Sequence, residues 1–576
     1  MVELQIGAAL RDPAVVRAAV KALAIVVLTA ALCAILAYVS LTASYDHGQL
    51  SVPPVYDDVS YFVAAQRWLS AAPVQSLAAN LYAVLDQHVP FTTLTSAIGF
   101  SIVPEGYAGP YLVNVVLVAA FMLTIARLIW HLSIVEIATC LIGLACIPML
   151  SHAMTEGRPD LLWGLALGLA VGAIFLRPLF QRSYGSLFFL GLLCGTAAAL
   201  KPSALPASLA LIGFTVCAAV LCNCFELERR DHRVLLKQTS VTTLLFGLGF
   251  LLAIAAIAGV RFAYIVRYIL QTMIYDRDFW AARGDLLFHL RYYSIGGVGR
   301  MAFKYWLFVG LVLFAVRFWL SRRDQIELRR VLALLAVVAV AYAIPTASIV
   351  KSYWLGAIFY GPFIVAMVLN YVAVADRFAH DRGSAFANLA KRQGRTVAGL
   401  HLVPLAAVTV LFIGQFSFGE APLALKFDHN TISDIRNATE RTWSVLAAAL
   451  PHETAQTLAS HGQAAIVTVA SPYPITSTTI QLYALRAHLN VDARYDYFAR
   501  TEEEAATGLL ESDFAIVTSS MPSNVPVPPM GDELIRRLDA DPHMCLVESI
   551  ALLTVREMRI YRRSETVCGS PAHREQ

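Results

Sequence analysis

ALAIVVLTAALCAILAYVSL, residues 22–41, runs for twenty residues without a charge. A helix of that length rises about 30 Å, the thickness of a bilayer's hydrocarbon core. Arg11, Arg17 and Lys21 precede it, and no convincing cleavage site comes before Ala43, so it reads as an anchor rather than a signal peptide. The rest of the chain is of the same kind. Of 576 residues, 58% are hydrophobic and 15% charged, with a mean hydropathy of +0.62. Soluble domains carry roughly 45–50% apolar and about 25% charged residues. The composition therefore predicts an α-helical polytopic membrane protein. A net charge of +4 is too slight to argue for a nucleic-acid partner.

Windows of bilayer length give eleven candidate spans, near 18–42, 108–130, 134–152, 160–177, 185–200, 203–225, 240–262, 301–320, 330–350, 354–375 and 397–417. With the N-terminus in the cytoplasm, alternation places Arg127, Arg177, Arg182, Arg229, Arg230, Arg322, Arg323, Arg329, Arg330 and Arg377 in inside loops. That satisfies the positive-inside bias at each cytoplasmic turn. Three larger pieces then fall outside: 43–107, 263–300 and everything after about 418. The expected location is a bacterial inner or plasma membrane.

Residues 1–417 are thus expected to form the membrane domain, and 418–576 an exported α/β domain. In the latter, 432–449 and 476–489 read as helices, while 464–470, 513–519 and 551–561 read as strands. No glycine-rich phosphate loop opens its helices, which argues against nucleotide binding; the expected role is a lid or acceptor-docking module. Most cysteines sit in apolar runs without metal-binding spacing; Cys545 and Cys568 are open to a disulfide if the domain is exported.

Ionisable residues near membrane depth are costly, so they are the first candidates for chemistry. They gather on the external side: Asp57, Asp58, Asp86 and His88 in the first loop, Glu156, Arg158 and Asp160 in TEGRPD, Lys201 in LKPS, and Lys351 with Tyr353 in VKSYW. Loop 263–300 adds Arg267, Arg277, Arg283 and Arg291. DDVSYFVAAQRWLSA is expected to form a helix with Tyr61, Phe62, Ala65, Trp68 and Leu69 on the membrane surface and an aspartate in its first turn. An N-cap alone would account for one aspartate of the pair. Residues 89–104 read as interfacial or re-entrant.

In order and sidedness, YDDVSYFVAA, QHVPFTTLTSAIGF, TEGRPDLLWGLALGL and GLLCGTAAALKPSAL resemble motifs of the GT-C superfamily of membrane glycosyltransferases. The likeness is to the branch of protein O-mannosyltransferases, lipid A aminoarabinose transferases and Rgt-type galacturonosyltransferases. It covers about residues 20–375. The proline pair of that branch is reduced here to Val89-Pro90, after His88.

The resemblance implies a polyprenyl-phosphate-linked sugar donor and inverting transfer to an acceptor hydroxyl of a lipid, glycan or protein outside the cytoplasm. Asp57 is the expected base and Asp58 its helper, since adjacent helical residues point about 100° apart and only one can face the acceptor. Arg158, Asp160, Lys201, Arg267, Arg291, Lys351, Tyr353 and His88 are the expected donor and lipid-phosphate contacts. A hard divalent cation is chemically compatible with the Asp57 and Asp58 oxygens, while Arg and Lys alone can also serve a lipid monophosphate leaving group, so metal dependence stays open. Rival readings are an O-antigen polymerase or ligase, a transporter or flippase of a lipid-linked sugar, and a non-catalytic subunit. The spans lack the mid-membrane charges and repeated halves of a transporter.

Overall fold

A computed structural model of the full chain describes residues 13–55, 58–71, 75–226, 232–275, 281–282, 284–381, 396–417, 423–450, 464–470, 473–495, 499, 501–519 and 531–568. Asp57, Arg277 and Arg283 lie outside the described residues.

The membrane part opens with α1 (Pro13–His47), which contains the quoted segment. Three short helices follow before the next long one: α2 (Asp58–Ala71), α3 (Leu77–Leu85) and α4 (Pro90–Ile102). Then come α5 (Gly109–Leu128), α6 (Ile134–Ala145), α7 (Pro148–Thr155), α8 (Asp160–Leu176), α9 (Tyr184–Ala199), α10 (Leu205–Glu226) and α11 (His232–Ala258). Two further short helices, α12 (Phe262–Leu270) and α13 (Leu286–Arg291), occupy the expected loop. The membrane part closes with α14 (Gly297–Phe303), α15 (Trp306–Ser321), α16 (Gln325–Ala347), α17 (Ala357–Asp381) and α18 (Thr396–Ser417).

Among the described residues, six helices are long and apolar enough to cross a bilayer alone. Two bent pairs, α6 with α7 (60°) and α14 with α15 (76°), reach that length together, and α8, α9 and part of α18 are shorter apolar helices. The first bend follows from Pro148, which has no N–H to continue the ladder of α6. At the start of α6, Ser133 accepts from the Glu136 backbone N–H while the Glu136 carboxylate accepts from Ser133 N–H, a reciprocal cap.

Helix pairs in the bundle approach through glycine. Gly164 and Gly168 on α8 meet Gly361 on α17, and Gly191 and Gly195 on α9 meet the backbone of α11. A methyl group on Gly361 would run into the Gly164 carbonyl. Since lipid tails give no hydrophobic drive to helix association, this close backbone contact supplies the dispersion energy instead. Gly361→Val is expected to lower the melting temperature of the detergent-solubilised protein, with an overpacking cost of about 1–3 kcal/mol.

The remaining chain forms the expected α/β domain, with α19 (His429–Ala449), β1 (Ala465–Val469), α20 (Ser477–Arg486), β2 (Val491–Tyr495), α21 (Glu502–Leu510), β3 (Phe514–Thr518), α22 (Gly531–Ala540), β4 (Met544–Ala551) and β5 (Glu557–Arg563). The sheet order is β2-β1-β3-β5-β4, with β1 parallel to β2 and β3, and the last hairpin antiparallel. The segment 551–561, expected to be one strand, instead contains the hairpin turn. The Leu553 and Thr554 N–H groups there donate to the buried Asp434 carboxylate of α19, at 2.7 and 2.8 Å, so they are unavailable to a ladder. A Cys545–Cys568 disulfide ties β4 to the C-terminal segment.

This domain is docked on the first loop. Phe427 N–H donates to His47 O, Arg436 to Ser51 O, Thr479 to Pro54 O, and Arg486 to Gly106 O and Pro104 O. Leu482 of α20 joins Val59, Phe62, Val63 and Phe100 in one apolar cluster. Phe62 and Ala65 therefore do not lie on a membrane surface: both are fully buried, because α2 is sandwiched between α4 and the C-terminal domain.

Candidate active site

The antiparallel bundle brings many polar helix ends to one end. These are the C-terminal ends of α7, α9, α11 and α16, and the N-terminal ends of α2, α8 and α17. Asp58 is the first residue of α2 and is 1% exposed. Its Oδ2 accepts the Gly157 N–H at 2.7 Å, and its Oδ1 lies 3.3 Å from Arg158 Nε. A side chain at position 157 could not fit, since a Cβ there would stand 2.8 Å from Oδ2. Arg158 is sandwiched from the other side by Trp354, its guanidinium 3.7 Å from the indole centroid.

Glu156 is equally buried. Its backbone oxygen accepts from Asn114 Nδ2 at 2.7 Å, and the Trp354 side chain lies against its carboxyl. Burial first, then the Asp58 charge, hold the Glu156 carboxyl well above the usual carboxylate range, against the opposing pull of Arg158. Glu156 thus lies beside the arginine-paired Asp58.

One turn further, Asp160 opens α8 and is ion-paired with Lys201, whose ammonium lies 5.6 Å from the Trp163 ring. Lys201 and Arg261 both act on His88, whose basicity is lowered by burial first, then by Arg261 and Lys201. The His88 ring packs edge-on to Tyr268 and Tyr264, with centroids 4.7 and 5.9 Å away. Its Nδ1 is buried, and among the described residues no protein atom bonds to it. Arg261 pairs with Asp86 at 2.8 Å and lies 4.8 Å over Tyr264. The result is three ion pairs, Asp58–Arg158, Asp160–Lys201 and Arg261–Asp86, with His88 near the cations of the last two.

No protein-family model and no curated protein matches the chain. Solved structures similar to it include ArnT from Cupriavidus metallidurans bound to undecaprenyl phosphate, at 13% identity and a TM-score of 0.47, over 94% of this chain and 99% of that one. The apo state of the same protein gives 15%, 0.48, 94% and 98%. The Archaeoglobus fulgidus oligosaccharyltransferase complex with Zn and sulfate gives 14%, 0.41, 84% and 68%. These neighbours are GT-C superfamily members. Undecaprenyl phosphate is the ligand of the first of them.

Of the expected site residues, Asp58, Arg158, Asp160, Lys201 and His88 come together. Tyr353 is buried beside them, its hydroxyl hydrogen-bonded to His152 Nδ1. Lys351 points elsewhere. Its ammonium donates to the Pro345 and Thr346 carbonyls at 2.9 and 2.7 Å, capping α16, and burial pushes its pKa down to about 8. Arg267 and Arg291 are exposed on α12 and α13, and it is Arg261, at the N-terminal boundary of α12, that meets the His88 cluster. Sequence reasoning misses Arg261, Trp354 and Asn114 and gives Glu156 no role. Arg261 and Trp354 carry a signal, each lying at a helix end on the face where the acids collect. Asn114 sits inside an apolar span and carries its own polar mark.

Proposed function

We propose that the chain is an inverting glycosyltransferase that moves a sugar from a polyprenyl-phosphate donor to an acceptor hydroxyl on the non-cytoplasmic side. The observation that carries this reading is the His88–Lys201–Arg261 cluster, joined by Asp160 to the carboxyls at the start of α2. In the reaction, the acceptor oxygen attacks C1 as the bond from C1 to the phosphate oxygen breaks. The acceptor proton passes to Asp57, and the bonding pair leaves on the lipid phosphate. Lys201, Arg261 and the His88 N–H stabilise that leaving charge where water is scarce. Asp58, held by Gly157 and Arg158, fixes the loop that carries Asp57. The Cys545–Cys568 disulfide and the basic turns at the other bundle end favour an exported C-terminal domain and a cytoplasmic N-terminus.

The test is release of polyprenyl phosphate from labelled polyprenyl-phosphate sugars by the reconstituted chain, paired with glycolipid profiling of a deletion strain. Transfer with stoichiometric release supports the reading. Movement of intact donor across the vesicle without release would identify a flippase instead. Lys201→Gln and Arg261→Gln are each expected to raise the donor KM about 10- to 100-fold, the worth of a charge-assisted hydrogen bond of about 1.5–3 kcal/mol.

A further inference from the structure

Trp163 carries a polar atom that the described residues leave without a bond. It stands in the first turn of α8, three residues after Asp160, and is 3% exposed. A tryptophan at a membrane surface keeps its ring in the apolar layer and its N–H in the wet one. Trp163 is too deeply buried for that role. The bundle itself shows how a buried indole is satisfied: Trp306, 6% exposed, donates to the Cys146 carbonyl at 3.1 Å. Trp163 Nε1 has no such acceptor among the described residues. Phenylalanine or leucine would fill the same space with no N–H to satisfy, and an unmet buried donor is costly.

The position of the ring identifies the class of acceptor. Side chains on a helix lean toward its N-terminus, so the indole covers the turn that holds Asp160. Lys201 is there as well, paired with Asp160 and with its ammonium 5.6 Å from the centre of the Trp163 ring. Asp160 takes one of the three N–H bonds of that ammonium and is not bonded to the indole. Directly after Lys201, the turn Pro202–Ala204 packs against α12, whose Tyr264 and Tyr268 hold the His88 ring. His88 Nδ1 is the second buried nitrogen of this corner with no bond among the described residues. An indole nitrogen from α8 and an imidazole nitrogen from the first loop thus share the neighbourhood of one ammonium.

We propose that the Trp163 indole N–H donates to a phosphate oxygen of the polyprenyl-phosphate donor, beside the Lys201 ammonium. The inference rests on the donor reading above and adds a neutral contact to its cations. An indole N–H can only donate, so its partner is an acceptor. A phosphate ester offers several acceptor oxygens on one atom, enough for the ammonium, the indole and the imidazole together. A neutral donor also suits a corner that already holds Lys201. A second buried cation there would be desolvated beside a like charge, whereas an N–H dipole adds a bond with no such repulsion.

The test is binding of decaprenyl phosphate and of decaprenol to the purified full-length protein in detergent, for the wild type and for Trp163→Phe. The smaller ring loses some packing, so stability is not the readout. Decaprenol, which meets the same packing without the phosphate, is the control. Decaprenyl phosphate is expected to bind Trp163→Phe about tenfold more weakly, with decaprenol binding unchanged. A second measurement needs no variant. In wild-type protein with isotopically labelled indole nitrogens, one N–H resonance is expected to shift downfield with decaprenyl phosphate and to stay in place with decaprenol. Equal binding of the phosphate by both proteins, an equal loss for phosphate and decaprenol, or an unmoved set of indole resonances would each overturn the proposal. A wild type that binds the two ligands alike would remove the donor reading itself, and the inference with it.

Discussion

Asp57→Asn is expected to lower kcat for sugar transfer by about 10²–10⁴-fold, the usual worth of a positioned general base, while the donor KM and the melting temperature hold. The expectation rests on what its neighbour is doing. Asp58 has one oxygen on the Gly157 N–H, the other against Arg158, and almost no exposure. Those contacts turn the Asp58 carboxylate inward, onto the chain itself. On the proposed reading, the acceptor hydroxyl gives its proton to a different group of the same loop. Glu156 is the other buried carboxyl of the cluster, held well above the usual carboxylate range by burial first and then by the Asp58 charge. If Asp57→Asn keeps full activity and Glu156→Gln does not, the assignment moves to Glu156.

Asp58→Ala carries the second large effect, and it falls on stability as well as on rate. Removing one member of a buried ion pair costs about 3–5 kcal/mol, because the other charge stays desolvated. Here Arg158 would remain under Trp354 with its carboxylate gone, and the Gly157 N–H would lose its acceptor. Thermal unfolding in detergent is the measurement. The double variant Asp58→Ala/Arg158→Leu should recover a good part of the loss, since it removes the stranded charge, yet remain inactive. Simple additivity of the two single variants would show that the two charges are not coupled.

The bundle was legible because its physics is written in single residues. Uncharged twenty-residue windows mark helices, whereas the glycine contacts by which one helix meets another emerged only from the packing. Much of the site was legible for a related reason, since an ionisable residue in an apolar chain stands out. What was not legible depends on which helix end faces which. Lys351 and Arg261 look alike in sequence, but one caps its own helix and the other reaches Asp86 across the bundle. The apolar face of α2 also misled: burial against lipid and burial against Leu482 ask for the same residues. The hairpin at 551–561 was hidden because Asp434, more than a hundred residues away, supplies the acceptor for its turn.

The contact between Thr479 and Pro54 joins residues 425 positions apart. A ribosome adding about 5–20 residues per second needs roughly 20–85 s to travel that distance. For that interval the first loop has been made, but the surface that docks on it has not yet been translated. The newborn protein is therefore begun well before it can be assembled, and its acidic loop waits, undocked, for the end of its own chain.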